Sequence, residues 1–187
     1  MADVTSERLI LRSLGVDAMK AIVGRRPEDA EKHLGFAMHP DMFGEDGGAP
    51  KHFLAMIEND PAFAPWAPRA MVLADENLAI GHIGFHTLPN QAYLDEYVGH
   101  GVEMGYTVFA KYRRQGFASE AITALAGWAG AEHGVENFGI SVGADNGPSM
   151  ALAEKLGFRK VGEHHDEVDG LEIVLSTTGK SLNPRVS

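Results

Sequence analysis

Apolar and polar residues change their spacing several times along the chain, and each change marks an element. Arg8–Arg12 (RLILR) reads as a short opening strand. Val16, Met19 and Val23 recur at helical spacing. Pro27, followed by Glu28 and Asp29, predicts a helix start, with proline in the first turn and acids at the positive end of the dipole. Pro50 is placed to start another helix, with Phe53, Met56 and Ile57 on one face. Asp60–Pro68 (DPAFAPWAP) holds three prolines and predicts an irregular loop.

Strand patterns dominate the remainder. Ala70–Ala74 and Ala79–Thr87 are apolar runs joined by Asp75-Glu76-Asn77, a hairpin pattern. Gly101–Phe109 alternates Val102, Met104, Tyr106 and Val108 against Glu103, Gly105 and Thr107. Gly116–Ala131 is helical, with Ala118, Ala121, Ile122, Leu125 and Ala129 as its buried stripe. Phe138, Ile140 and Val142 alternate as a strand, and Pro148–Leu156 forms a short helix. Gly157 is placed as a left-handed cap to that helix, with Phe158 making the accompanying contact. Two strands follow, near Phe158–Glu163 and Leu171–Ser176. The series predicts an α/β (α+β) domain over residues 1–176, built on a mixed sheet of about seven strands flanked by helices. Residues 177–187 form a polar tail that is expected to fray.

Composition narrows the function classes. Twenty-six acidic and sixteen basic residues give a formal net charge of −10, which argues against nucleic acid and anionic membranes as partners. That charge serves solubility and would also help collect a cationic substrate. The absence of cysteine removes disulfides, thiolate metal sites and a cysteine nucleophile together. The first residues lack the order of a signal peptide, and no apolar run approaches the roughly 20 residues of a membrane span, so a cytoplasmic location is expected.

The chemistry concentrates between Gly101 and Phe158. In Val108–Ser119 (VFAKYRRQGFAS) a strand gives way to a basic loop, and Gly116-Phe117-Ala118 opens a helix. A helix N-terminus presents backbone N–H groups and partial positive charge, an anion site. Small residues at Gly116 and Ala118 let a diphosphate approach the backbone, and Arg113 and Arg114 add charge beside it. A glycine between a strand and a helix is also, more simply, a turn. Asn146, in the next strand-to-helix connection, is a natural N-cap ahead of Pro148.

Together these segments resemble the GNAT superfamily of CoA-dependent N-acyltransferases. Arg113-Arg114-Gln115-Gly116-Phe117-Ala118 fits the family's acetyl-CoA signature, Arg/Gln-x-x-Gly-x-Gly/Ala. VEMGYTVFAKYRRQGFASEAI (Val102–Ile122), the opening TSERLILR and NGPSMALAEKLGF look like the branch that acetylates ribosomal-protein N-termini. That branch also holds enzymes for small amines and antibiotics. The resemblance implies a sheet that is mostly antiparallel, acetyl-CoA as the acetyl donor, and transfer to a primary amine of a protein N-terminus or a small molecule. It also implies that the strand before the signature splays from its neighbour to admit the pantetheine arm, with Val108 as the backbone partner. The backbone from Arg114 through Gln115, Gly116, Phe117 and Ala118 to Ser119 would hold the pyrophosphate, with Arg113 adding charge and Asn146 facing the cofactor from the other side. A homodimer is compatible with these features.

Amide formation needs a neutral amine. An α-amino group with a pKa near 8 is roughly one-tenth neutral at pH 7, whereas a lysine amine near 10.4 needs on the order of 4–5 kcal/mol of help. Glu103, standing where this branch often has Glu before a Gly-Tyr pair, is the candidate base; its plainer reading is an ordinary polar strand residue. Many members place a proton-donating tyrosine where this chain has Ala153, which makes Ser149 the substitute; capping or solvation explains Ser149 equally well. The missing tyrosine also allows a catalytically silent acyl-CoA-binding sensor or partner-binding domain. Nine histidines raise a third class, a metal-binding protein, through His82 and His86 on one strand face and His164-His165-Asp166. Their spacing matches no known metal site, so no metal is expected. His82 and His86 can instead line the acceptor cleft, and Trp66 can serve as lid or core.

Overall fold

A computed structural model describes residues 2–43, 49–89, 96–166 and 170–182. The chain forms two compact units, the first comprising residues up to Gly84 with Tyr106–Ala121, the second Phe85–Gly105 with the residues from Ile122 on.

In the first unit β1 (Val4–Thr5), β2 (Leu9–Ser13), β4 (Arg69–Leu73) and β5 (Leu78–Phe85, whose last residue belongs to the second unit) pair antiparallel in that order. A two-residue strand, β3 (Ala37–Met38), runs parallel to β5. The helices α1 (Gly15–Val23), α2 (Pro27–Leu34) and α3 (Ala49–Asn59) belong to this unit, and α1 packs against both of the others. Pro27 stands in the first turn of α2, and Gly35 ends it in a left-handed conformation. Leu9, Leu11, Met19, Met71 and Ile80 are fully enclosed. At about 1.5–3 kcal/mol for each large apolar side chain removed from water, these contacts hold the unit.

The expected loop at Asp60–Pro68 is more ordered than three prolines suggested. Pro61–Phe63 makes one 3-10 turn, capped by the Asp60 carboxylate, which accepts from the Ala62 N–H at 2.9 Å. Phe63 stacks on Phe53 at 5.9 Å, and Trp66 is buried, so Trp66 is a core residue.

The second unit contains the start of β6 (Val102–Val108), followed by β7 (Asn137–Gly143), β9 (Gly170–Thr178) and β8 (Arg159–Asp166). β7 and β9 pair antiparallel along their length, and β8 pairs antiparallel with β9. β6 pairs parallel with β7 only at Val102–Phe138 and Glu103–Gly139. The helices α4 (Phe117–His133, which begins in the first unit) and α5 (Gly147–Lys155) complete the five helices of the described residues. After α5, Gly157 takes φ +94° and Phe158 is fully buried, with its N–H bonded to the Ala153 carbonyl at 3.0 Å.

The pairings are mixed and mostly antiparallel, as expected, but the described residues contain nine strands rather than about seven. The additional two, β1 and β3, are two residues long. Segments that short carry no readable alternation. β9 continues through Thr178, two residues into the expected tail, and Leu182 is buried. Among the described residues no helix is long and apolar enough to cross a membrane.

Candidate functional site

The first unit contains the strand-to-helix turn that the sequence singled out. β6 ends at Val108, a 3-10 turn spans Ala110–Tyr112, and α4 begins at Phe117. Between them Arg113, Arg114, Gln115 and Gly116 are exposed. Arg114 has φ +61° and Gly116 φ +84°, so the backbone bends twice through left-handed conformations before the helix starts. The Glu120 N–H donates to the Gly116 carbonyl at 3.0 Å. The N–H groups of Phe117 and Ala118 ahead of it come too early in the helix to find an i−4 acceptor inside it. Phe117 and Ser119 are buried and Ala118 half-buried. The Arg113 Nε donates to the Val108 carbonyl at 2.8 Å, tying the loop to the end of β6.

A brace that sequence reasoning missed holds this turn. The Glu120 carboxylate accepts from the Ser6 hydroxyl at 2.7 Å, the Arg8 N–H at 2.6 Å and the Arg8 Nε at 2.7 Å. Arg8 Nη1 donates to the Gln115 carbonyl at 3.0 Å, and the guanidinium lies 4.4 Å over the Phe117 ring. Burial acts to raise the Glu120 pKa, but the bonds from the Arg8 backbone, the Ser6 hydroxyl and the Arg8 guanidinium outweigh it and hold the carboxyl below its usual range. Also in this unit, His39 stacks on Phe109 at 5.4 Å and meets the edge of Tyr112 at 5.8 Å. It sets an imidazole against the residues that follow Val108.

In the second unit Glu103 is only 5% exposed, so its place in the strand is a buried one. Its N–H donates to the Thr87 hydroxyl at 3.0 Å, and its carbonyl accepts from the His86 N–H at 2.8 Å. The His86 ring lies against Gly105; a Cβ there would stand 2.2 Å from Nε2, so a larger residue would have to displace the ring. His82 and His86 do not share an environment. β5 ends at Phe85, leaving His82 buried within the strand and His86 exposed beyond it.

Asn146 caps α5: its side-chain oxygen accepts from the Ser149 N–H at 3.2 Å. Ser149 therefore receives the cap, and its half-buried side chain sits in the first turn. Ala153 is 1% exposed, so the position of the family's tyrosine is packed into the core. His164 lies 3.3 Å from Glu172. Among the described residues no group of three or more His, Asp or Glu side chains could hold a metal ion. The Asp166 side chain lies outside the described residues.

Val108 and the 113–119 loop thus come together in one unit, while Glu103, Asn146 and Ser149 belong to the other.

Comparison with known proteins gives this geometry a family. Over 88 residues the chain is 34% identical to the uncharacterized N-acetyltransferase YoaA of Bacillus subtilis (strain 168), covering 47% of this chain and 46% of that protein. The chain thus spans about half the length of that relative. The ribosomal-protein-S5-alanine acetyltransferase of Vibrio fischeri has a similar fold, with TM-score 0.65, 15% identity, and coverage of 98% of this chain and 100% of that one. A ribosomal L7/L12 α-N-protein acetyltransferase (RimL), solved with coenzyme A, is similar with TM-score 0.64 and 13% identity, over 96% of this chain and 99% of that one. The acetyltransferase (GNAT) domain family matches residues 8–159, and the chain belongs to that family.

Proposed function

We propose that this protein transfers an acetyl group from acetyl-CoA to a primary amine by direct attack in a ternary complex. The observation that carries the reading is the turn at Arg113–Ser119: it fits the family's cofactor signature, bends through left-handed residues and opens α4, whose N-terminus favours an anion. The backbone of Arg114–Ser119 holds the pyrophosphate, with Arg113 beside it and Asn146 as a further cofactor contact. The early end of the β6–β7 ladder fits a strand that parts from its neighbour to accept the pantetheine arm.

In the reaction the amine nitrogen attacks the thioester carbonyl, a C–N bond forms, and the C–S bond breaks. The Val108 N–H polarises the carbonyl oxygen. Glu103, directly or through water, takes the proton that the amine loses. The CoA thiolate departs and takes a proton from Ser149 or from solvent; with a thiol pKa near 8.5 it leaves tolerably without an acid. The acceptor is a protein N-terminus or a small-molecule amine. We read residues 1–176 as one N-acetyltransferase domain, working in the cytoplasm without a metal.

Buried Ala153, where many members carry tyrosine, favours a second reading: an acyl-CoA-binding domain without turnover. Purified protein given acetyl-CoA with peptides beginning in Ala or Ser, polyamines and aminoglycosides decides between them. Release of free thiol with one acceptor class supports transfer. Binding by calorimetry without thiol release supports the silent domain, and no binding overturns both.

A further inference from the structure

We infer that Arg8, just before β2, is a positioning residue for the cofactor turn, acting through Glu120 and the Gln115 carbonyl; this rests on the proposed acetyl-CoA site. The residues are far apart in sequence, yet the bonds converge. Arg8 donates Nη1 to the Gln115 carbonyl at 3.0 Å, and its Nε and Nη2 both lie 2.7 Å from one oxygen of Glu120. The other Glu120 oxygen accepts from the Arg8 N–H at 2.6 Å and the Ser6 hydroxyl at 2.7 Å. The segment just before β2 is thereby tied to the first turn of α4 through the Arg8 backbone and the Ser6 and Arg8 side chains.

The orientation of one peptide group gives the brace its consequence. In a trans peptide the C=O of one residue and the N–H of the next point in opposite directions. Fixing the Gln115 carbonyl on Arg8 therefore turns the Gly116 N–H away from Arg8, to the side left for an anion. An unheld carbonyl is free to rotate its negative end towards the diphosphate. Gly116 leaves room for this arrangement, since a Cβ there would meet Arg8 Nη2 at 3.2 Å. Arg8 also neutralises Glu120, whose carboxylate would otherwise oppose a diphosphate one turn away. Its own charge is thus spent within the protein, unlike that of the exposed Arg114. Lysine cannot replace it: one ammonium does not span the Gln115 carbonyl and the Glu120 carboxylate with a planar fork.

Arg8→Lys separates positioning from charge. In the folded variant, confirmed by circular dichroism, the Kd for acetyl-CoA rises about tenfold, the scale of a lost charged hydrogen bond. The effect in turnover falls on KM for acetyl-CoA while kcat is retained. Amide exchange at Glu120, whose N–H closes the first bond of α4, accelerates in the ligand-free protein. Ser6→Ala, a milder cut in the same brace, moves both readouts the same way by about threefold. Unchanged Kd and unchanged exchange in either folded variant overturn the inference, as does wild-type affinity in Arg8→Lys, which would reduce Arg8 to a charge. Wild-type protein that binds no acetyl-CoA overturns the proposed function instead; amide exchange then decides whether Arg8 orders the turn.

Discussion

Two helix starts carry the residues that the sequence assigned to the cofactor, and they are stabilised in different ways. At α5 the cap is local: Asn146 accepts from the Ser149 N–H, three residues on. At α4 the first turn is held by Ser6 and Arg8, residues more than a hundred positions away. The α5 start uses its capping side chain to satisfy one of its own N–H groups. At α4 the bracing groups bind a carboxylate and a carbonyl and use none of the turn's N–H groups. A self-capped helix start satisfies one of its own donors; the brace at α4 satisfies none of them.

The contrast is broken most directly at Gly116. Replacing it by glutamate adds a negative charge at the proposed diphosphate and a side chain at φ +84°, where a Cβ already meets Arg8. Acetyl-CoA affinity should fall more than about a hundredfold, with backbone strain lowering stability by about 1–2 kcal/mol. Gly116→Ala carries the strain without the charge. If calorimetry shows alanine and glutamate equally harmful, strain alone explains the loss. Wild-type affinity in both would remove the turn from the cofactor site.

Glu103 tests the proposed catalytic residues of the second unit. As the base, Glu103→Gln should lower turnover about a hundredfold at low pH, where the amine is mainly protonated, and less as rising pH supplies neutral amine. An equal loss at every pH would mark Glu103 as structural. Ser149→Ala should cost a comparable factor if Ser149 protonates the thiolate, and almost nothing if solvent does.

The two helix starts also differ in what the sequence could disclose. Asn146 before Pro148, Gly157 before Phe158 and the small Gly116 and Ala118 lie within a few residues of the groups they serve, so local spacing reveals them. The alternation in Gly101–Phe109 announced β6 but not its environment: Val102, Glu103 and Met104 are all buried, so both faces are covered there. Polar residues on such a strand do not mark a solvated side. The brace was illegible for a stronger reason. Ser6, Arg8 and Glu120 are ordinary surface residues until the fold brings the segment before β2 to the start of α4. The same holds for His39 against Phe109.

Acid should unpick the α4 start specifically. The bonded Glu120 carboxyl titrates below its usual range, which is near 4.3 in an unfolded chain. A depressed pKa contributes stability that is complete above the unfolded value and is lost as pH falls through the folded one. Wild-type protein should therefore lose an increment of stability on descending below about pH 5 that Glu120→Gln lacks. Melting curves of the two proteins should lie apart at neutral pH and converge in acid. Curves that stay parallel throughout would show that the ion pair is not linked to folding.

The smallest effect distinguishes a cap from a ligand contact at Asn146. Asn146→Ala removes the acceptor of the Ser149 N–H and should lower stability by about 1 kcal/mol. Serine is a comparably good cap, so Asn146→Ser should restore most of that loss. Acetyl-CoA affinity gives the second reading of the same pair. If Asn146 acts on the cofactor only by ordering α5, affinity should follow stability, with alanine weaker by at most about threefold and serine near wild type. If its amide touches the cofactor, serine should bind as weakly as alanine although the helix is capped. Melting and calorimetry on these two variants thus determine whether the α5 start is self-contained or shares in the site that α4 begins.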